Sequence, residues 1–263
     1  MENDILIIKV GTSTLTTEKK WETALDTESF SRIGSQIVNL QDEGYKPIIV
    51  SSAAITAGMV ATRTLRRPGK EKRMPELQRL ASVGWRLILN EWDAALPGKT
   101  IGELLLTKNE LDMPVEREEV LRVTERLLYH GEIPVVNEND PISHDEIAYG
   151  DNDTLSATFA AKIAQSKLFN RNVKLVLLSD VDGVHEDYGN SEALIAHVDD
   201  IEKYLHLAGD SRSANASGGM RTKFDAAKIA TEAGVEMWIA NGRTENAIER
   251  AINGEIGTYF DLS

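Results

Sequence analysis

Residues 4–13 read DILIIKVGTS, an apolar run that ends in a lysine followed by a small polar turn. A continuous apolar run of this length is typical of a strand buried on both faces, as in the middle of a parallel sheet. A lysine near the end of such a strand is costly to bury unless it meets an anion. The stretch therefore predicts a buried strand whose carboxyl end faces either solvent, which a lysine at a strand end can reach, or an anionic ligand. The turn that follows favours the ligand, because Gly11 allows backbone N–H groups to point at phosphate oxygens.

The rest of the chain repeats this alternation of short apolar runs with stretches of helical period. Further strands are predicted at 46–51, 101–106, 133–136, 173–180 and 236–240, and helices at about 27–43, 74–96, 116–129, 155–164 and 244–252. This order predicts an α/β fold with a mainly parallel central sheet sandwiched between helices in three layers. The length of 263 residues suits one domain. The small-residue segment SSAAITAG, residues 51–58, is interpreted as a loop that lets backbone approach a ligand.

The composition narrows the classes of function. The chain has 29 Lys and Arg against 42 Asp and Glu, a net charge of -13 that disfavours nucleic-acid binding. It has no Cys, which excludes disulfides, thiolate zinc sites and a cysteine nucleophile. No leader or membrane-length apolar run is apparent, so a soluble cytoplasmic protein without membrane contact is expected. The basic stretch TRTLRRPGKEKR, residues 62–73, is either a nucleic-acid patch or a solvated loop, and its lack of aromatic residues favours the loop.

Polar side chains gather where the predicted strands end. Lys9 and Gly11 follow the first strand, Ser52 the second, Asp140 the strand at 133–136, and Ser179 the strand at 173–180. In a parallel sheet, ligands bind beyond the carboxyl ends of the strands. The sequence therefore predicts one ligand-binding edge built from four strands.

Two further motifs carry chemistry. SGGMRTK, residues 217–223, puts two glycines at the start of a predicted helix, which suits phosphate binding, although glycines also cap ordinary helices. NEND at 137–140 and GDND at 150–153 supply carboxylates and amides that can hold a cation or an ammonium group, but the same residues are common in turns.

Six motifs of this chain, taken in order, resemble those of the amino-acid kinase family, and the resemblance runs from about Ile5 to Phe260. These motifs are KVGTSTLT, IIVSSAAITAG, IPVVNENDPI, GDNDTLSA, LLSDVDGV and SGGMRTK. GDNDTLSA with NEND is most similar to the branch that phosphorylates free glutamate. The resemblance implies the amino-acid kinase fold and transfer of phosphate from ATP, with Mg, to the γ-carboxylate of L-glutamate. That reaction gives L-glutamyl 5-phosphate, the first step of proline biosynthesis. It also implies a homo-oligomer, dimer or tetramer, and proline as a feedback inhibitor; the RNA-binding-like PUA module of many relatives is expected to be absent.

The resemblance also assigns roles to residues. Lys9 and Lys223 are catalytic, with Asp153 orienting both ammonium groups, and Ser52, Asp140 and Asn152 bind the substrate. No side chain is assigned to a metal. The residues implied to bind ATP are Lys9, Gly11, Thr12, Ser179, Asp180, Ser217, Gly218, Gly219, Met220, Arg221, Thr222 and Lys223.

Four positions depart from the family pattern. Ala53 replaces a glycine, Trp85 replaces a glutamine, and Asp182 and His185 stand where lysine and tyrosine are common. Ala53 and Trp85 leave open a relative that acts on a different small acid. A catalytically silent amino-acid sensor with the same fold is the alternative from another class, and intact Lys9, Asp153 and Lys223 argue against it.

Overall fold

The computed structural model describes residues 4–19, 22–64, 73–143, 152–186, 193–208 and 219–262. The strands in these ranges are β1 Ile5–Val10, β2 Thr16–Lys19, β3 Glu22–Leu25, β4 Lys46–Ser51, β5 Ile101–Leu106, β6 Ile133–Glu138, β7 Val173–Ser179, β8 Val184–His185, β9 Leu194–Ile195, β10 His197–Val198, β11 Glu236–Asn241 and β12 Thr258–Phe260. The helices are α1 Thr12–Leu15, α2 Thr27–Asp42, α3 Ala54–Ala61, α4 Arg73–Ala95, α5 Lys108–Asp112, α6 Pro114–Tyr129, α7 Asn152–Ala164, α8 Ile201–Tyr204, α9 Met220–Glu232 and α10 Ala247–Ile252, with a 3₁₀ turn at Leu205–Ala208.

Among the described residues, eight strands form one sheet in the order β10-β12-β11-β7-β1-β4-β6-β5. Neighbouring strands are parallel except at β11 and β12, which are antiparallel. The strand β1 lies between β4 and β7, and its Lys9 is level with Val50 on one side and Leu177 on the other. The mainly parallel sheet confirms the predicted fold class.

Helices cover both faces of the sheet, because successive side chains of a strand point to opposite faces. Ile5 and Ile7 of β1 pack into one apolar cluster with α7 and α9. Leu6 and Ile8 pack into a second cluster with α2, α3, α4 and α10. All four side chains are fully buried, as a strand with two covered faces requires. The three-layer arrangement is thus confirmed.

The segment 51–58 differs from its prediction, because most of it is helix α3 and not a loop. A Cβ added at Gly58 would lie 1.9 Å from the carbonyl oxygen of Leu80, and one at Gly84 would lie 1.9 Å from that of Ala54. The small residues therefore serve the contact of α3 with α4, which pack backbone against backbone. The turn after β1 was also predicted without regular structure, and it contains α1 and the β2–β3 hairpin.

Within the described ranges, no helix combines the length and apolarity needed to cross a membrane. Most of the basic stretch, residues 65–72, lies outside these ranges.

Candidate active site

The predicted catalytic residues come together at the carboxyl edge of the sheet. The ammonium group of Lys9, from β1, lies 2.5 Å from Asp153 Oδ1, and that of Lys223, from α9, lies 3.1 Å from Asp153 Oδ2. Asp153 is fully buried in the first turn of α7, and both lysines are 5% exposed. Lys9 and Lys223 are 214 positions apart in the sequence (223 minus 9), and both ammonium groups are held on one carboxylate.

The elements explain why these three side chains meet. α7 is built largely of small residues, and it packs between β1 and α9, so that its first turn reaches the end of β1. Thr222 of α9 adds a second contact, with its hydroxyl 3.3 Å from Asp153 Oδ2 and 2.8 Å from the carbonyl of Gly219. The start of α9 is therefore fastened to the start of α7, and Lys223 follows directly.

A group of amides and hydroxyls lies beside the lysines, at the ends of β4 and β6. The Asn152 side-chain amide donates to Ser51 O at 2.9 Å, Ser52 Oγ at 3.0 Å and Asn137 Oδ1 at 3.0 Å. Its own carbonyl oxygen is buried and accepts no hydrogen bond within the described residues. An acceptor left without a donor in this position suits a ligand that brings one, such as an ammonium group.

Asp140 borders the same group and is 8% exposed. Burial, and secondarily the negative charge of Glu138, raises the pKa of the Asp140 carboxyl to about 7. A hydrogen bond from the Asn137 amide, at 3.4 Å, acts in the opposite direction. A buried carboxyl with a raised pKa gains by pairing with a cation, because the cation offsets the lost hydration of the ionised form.

The predicted nucleotide residues lie on the other side of β1. Ser179 ends β7 and its hydroxyl donates to Asp180 Oδ1 at 3.2 Å. The backbone N–H of Gly11 donates to Leu178 O at 3.1 Å, so this group is not available to a phosphate, although the turn was predicted to offer its amides. The first amides of α1, at Thr12 and Ser13, have no acceptor inside the helix and remain the donors of this turn.

The start of α9 provides room for an anion. Gly219 is its N-cap, without a side-chain cap, and a Cβ added there would meet no atom of the described residues within 4 Å. Met220 begins the helix, whereas the side chain of Arg221 pairs with Asp225, 3.3 Å away, and does not join the lysines. Ser217 and Gly218, also predicted to bind ATP, lie outside the described residues, as do positions 150 and 151 of the GDND motif.

The sequence did not reveal two residues that support the acceptor side. Asn137 was predicted only as part of the NEND motif and was not assigned to the substrate site, and its side-chain oxygen accepts from Asn152. Trp92, fully buried in α4, donates from its indole to Ser51 Oγ at 2.8 Å and so fixes the end of β4 next to Ser52. An apolar position in a helix gives no sign that its side chain also donates a hydrogen bond.

Two departures from the family pattern belong to the apolar cluster that includes α3 and α4. The backbone of Ala53 lies in the left-handed helical region, with φ 79° and ψ 4°, and the residue is 6% exposed. This conformation costs a residue with a Cβ about 1 kcal/mol, which explains why glycine is usual there. The indole of Trp85 donates to Glu103 on the edge strand β5.

A cavity of about 610 Å³ lies on the flank of this site, between α5 and α7. Its lining includes Thr154 and Thr158 of α7, Lys108 of α5 and Glu138 of β6, and it includes neither Lys9 nor Lys223. The cavity is therefore adjacent to the candidate active site and separate from it.

Known proteins are similar to this chain over most of its length. Residues 4–241 match the model of the amino acid kinase family. A glutamate 5-kinase from Clostridium tetani (strain Massachusetts / E88) is 38% identical over 97% of this chain and 94% of its own length. A glutamate 5-kinase from Symbiobacterium thermophilum is also 38% identical, over 97% of this chain and 95% of its own.

Solved structures share the fold at low sequence identity. Carbamate kinase from Giardia lamblia bound to AMP-PNP has a TM-score of 0.66 at 16% identity, covering 99% of this chain and 98% of its own. UMP kinase from Bacillus anthracis has a TM-score of 0.64 at 14% identity, covering 99% and 96%. The family match over residues 4–241 and the two relatives at 38% identity show that this chain belongs to the amino acid kinase family.

Proposed function

We propose that this chain transfers the γ-phosphoryl group of ATP to the γ-carboxylate of L-glutamate, giving ADP and L-glutamyl 5-phosphate, the first step of proline biosynthesis. The relatives at 38% identity are named glutamate 5-kinases and cover almost the whole chain. The observation that carries the proposal is the meeting of Lys9 and Lys223 at Asp153, next to a pocket of amide and carboxylate groups. Phosphoryl transfer to an anion requires cations at that position.

The reaction needs no general base. A glutamate γ-carboxylate is ionised at neutral pH, so one of its oxygens attacks the γ-phosphorus directly while the bond to the β,γ-bridging oxygen breaks. The two ammonium groups reduce the repulsion between the attacking carboxylate and the triphosphate, and they stabilise charge on the transferring group. Asp153 keeps both in position and prevents them from moving apart.

The pocket on the acceptor side suits the amino-acid end of glutamate. The unpaired carbonyl oxygen of Asn152 and the carboxylate of Asp140 are both acceptors that match an α-ammonium group, and Ser52 supplies a hydroxyl. An N-acylated glutamate has no charged ammonium group to pair with Asp140, so the buried carboxylate discriminates against it.

The nucleotide side suits ATP carrying magnesium. The open space beside Gly219 and the first amides of α1 and α9 fit phosphate oxygens, which is the chemistry of helix N-termini. No group of three or more His, Asp or Glu among the described residues is arranged to hold a metal ion. Magnesium would therefore be held mainly by the phosphates, and Asp180, at the end of β7, would be the carboxylate available to it. The ion would neutralise charge on the β- and γ-oxygens.

A coupled assay of ADP release tests the proposal with three acceptors, L-glutamate, N-acetyl-L-glutamate and L-aspartate. Turnover with L-glutamate, and little with the other two, is expected because N-acetyl-L-glutamate has no ammonium group for Asp140, and L-aspartate is one methylene shorter, so that its side-chain carboxylate would not reach the lysines when its ammonium group pairs with Asp140. Turnover of N-acetyl-L-glutamate without L-glutamate would refute the assignment of the acceptor. Absence of ADP release with all three, in a protein that binds glutamate, would indicate a sensor.

Three further properties belong to this proposal. We propose a cytoplasmic location, which is the expectation from the sequence, together with a homo-oligomeric state and inhibition by proline, which the family resemblance implies. Light scattering measures the oligomeric state, and the same coupled assay with added L-proline measures inhibition.

A further inference from the structure

A chain of hydrogen bonds joins the loops that follow β7, β11 and β1. The side-chain amide of Asn241 donates to Asp182 Oδ1 at 2.9 Å. Its carbonyl oxygen accepts from the backbone N–H of Arg243 at 3.0 Å, and the Arg243 guanidinium donates to Ser13 O at 3.1 Å. The proposed phosphate-binding turn at Thr12 and Ser13 is therefore connected to Asp182.

If ATP binds as proposed, the order of the strands puts these hydrogen bonds on the side of the sheet where its nucleoside would lie. The acceptor pocket is at the ends of β4 and β6, and Lys9 marks the phosphates at the end of β1. The nucleoside then extends to the opposite side of β1, over β7 and β11. Two strand spacings separate β1 from β11, about 10 Å, which is comparable to the length of a triphosphate chain.

Asp182 is presented to this region by a fixed backbone. The next residue, Gly183, has φ +154, and a Cβ added there would lie 2.5 Å from Thr258 Oγ1. The backbone N–H of Val184 donates to the same hydroxyl at 2.8 Å. The loop that carries Asp182 is thus held against β12, and the side chain itself is exposed.

We propose that Asp182 recognises the ribose of the bound nucleotide, an inference that rests on the proposed use of ATP. Asn241 engages one oxygen of the carboxylate, and the other has no hydrogen-bond partner in the part of the chain that the structure describes. An ionised carboxylate only accepts hydrogen bonds, so it repels phosphate and suits a donor. The vicinal hydroxyls of a ribose are such donors, and an acidic side chain binds them in dinucleotide sites.

Arg243 acts here as a positioning residue. It fastens the turn that holds the phosphates to the loop that holds Asn241, so the distance between the phosphate site and the ribose site is fixed. The family pattern commonly has lysine at position 182, which cannot accept from a hydroxyl when charged. Recognition of the ribose through Asp182 is therefore particular to chains that carry an acidic residue there.

Calorimetric titration of ADP, 2′-deoxy-ADP and 3′-deoxy-ADP tests the inference without any acceptor substrate. The variant Asp182→Asn keeps an oxygen for Asn241 and replaces the outward oxygen with an amide donor. The wild-type protein should bind ADP about tenfold more tightly than at least one deoxy analogue, the lower end expected for an exposed hydrogen bond to a charged group. In Asp182→Asn this ratio should fall to near one.

Asp42→Asn is the matched control, since Asp42 is an exposed aspartate at the end of α2, beside the amino end of the sheet. It should retain the wild-type ratio. Equal binding of ADP and both deoxy analogues by the wild-type protein would overturn the inference, as would an unchanged ratio in Asp182→Asn. If Asp182→Asn changed the preference between ADP and GDP but left the preference for ADP over the deoxy analogues unchanged, Asp182 would recognise the base. That result would also overturn the inference. Failure of the wild-type protein to bind any of these nucleotides would overturn the proposed function itself.

Discussion

Replacing Asp140 by asparagine should make the protein more stable and a poorer enzyme. Burial and the charge of Glu138 raise the pKa of Asp140 from 3.8 to about 7 in the absence of substrate. The folded state therefore binds the carboxyl proton more tightly than the unfolded state does. Because the pKa is raised by folding, the contribution of Asp140 to stability is greatest below pH 4 and is lost as the pH rises towards 7.

The size of this effect follows from the shift. A difference of 7 minus 3.8 is 3.2 pKa units, and at 1.36 kcal/mol per unit the ionised carboxyl lowers the free energy of unfolding by about 4 kcal/mol above pH 8. At pH 4.5 the same relation gives about 1 kcal/mol, since the pH is then less than one unit above the unfolded-state pKa of 3.8. Asparagine has a similar shape and no charge, so Asp140→Asn should raise the free energy of unfolding by these amounts.

Urea unfolding of the wild-type protein and Asp140→Asn at pH 4.5 and pH 8.5 measures the effect, with Asp42→Asn as the exposed control. The gain should be several times larger at pH 8.5, and the control, which loses only an exposed ion pair with Lys99, should show no such gain. An Asp140→Asn variant that is no more stable at pH 8.5, or equally more stable at both values, would refute the reasoning.

The same shift predicts how substrate binding depends on pH. The α-ammonium of glutamate pairs only with the ionised carboxylate, so the KM for glutamate should rise as the pH falls below about 7, by up to tenfold per pH unit. The KM for ATP should change much less over this range, because Asp140 lies on the acceptor side of β1. In Asp140→Asn the KM for glutamate should be high and nearly independent of pH.

Three other substitutions test separate parts of the structure. Lys223→Met should lower kcat by roughly a hundred- to a thousandfold, measured in the coupled assay, because it removes one of the two cations on the transferring group. Trp92→Phe should raise the KM for glutamate several-fold with little change in the KM for ATP, because it deletes the hydrogen bond to Ser51. Gly58→Ala should lower the free energy of unfolding by about 3 kcal/mol in urea, because the added methyl meets a backbone carbonyl.

For each of these substitutions, one outcome would contradict the prediction. An unchanged kcat in Lys223→Met would remove the ammonium pair from the mechanism. Equal changes in both KM values in Trp92→Phe would indicate general damage to the fold. Gly219→Ala is the control for Gly58→Ala, since no atom of the described residues lies within 4 Å of its added methyl group, and equal losses of stability in the two would show that close packing is not the cause.

The strands of the central sheet could be predicted because a buried parallel strand is a continuous apolar run. β1, β4, β5, β7 and β11 agree with the predicted ranges to within one residue, and β6 extends two residues further. The short elements could not be predicted. The hairpin β2–β3 has strands of four residues, too short to show a period, and α3 lacks the amphipathic stripe by which a helix is recognised.

The site could be predicted in part for a related reason. Parallel strands end at one edge, so the placement of Lys9, Ser52 and Ser179 near each other follows from the fold class alone. The contacts of Asn152 with Asn137 and Ser51 do not follow, because they depend on where α7 begins relative to β4 and β6. Such contacts are set by packing between elements distant in sequence, which no local pattern records.

The position of β1 in the sheet explains how the site is divided. The chain passes from β1 to β4 on one side, and later returns to add β7 on the other, so β1 is the point where the direction of strand addition reverses. A crevice forms at such a point in an α/β sheet, and Lys9 stands at its centre. In the proposed function, the acceptor pocket is built from β4 and β6 and the nucleotide site from β7, β11 and α9. Among the described residues, Lys9, Lys223 and Asp153 lie where these two halves meet, so we expect that residues on β4 and β6 can change the acceptor while the nucleotide site and the ammonium pair stay as they are.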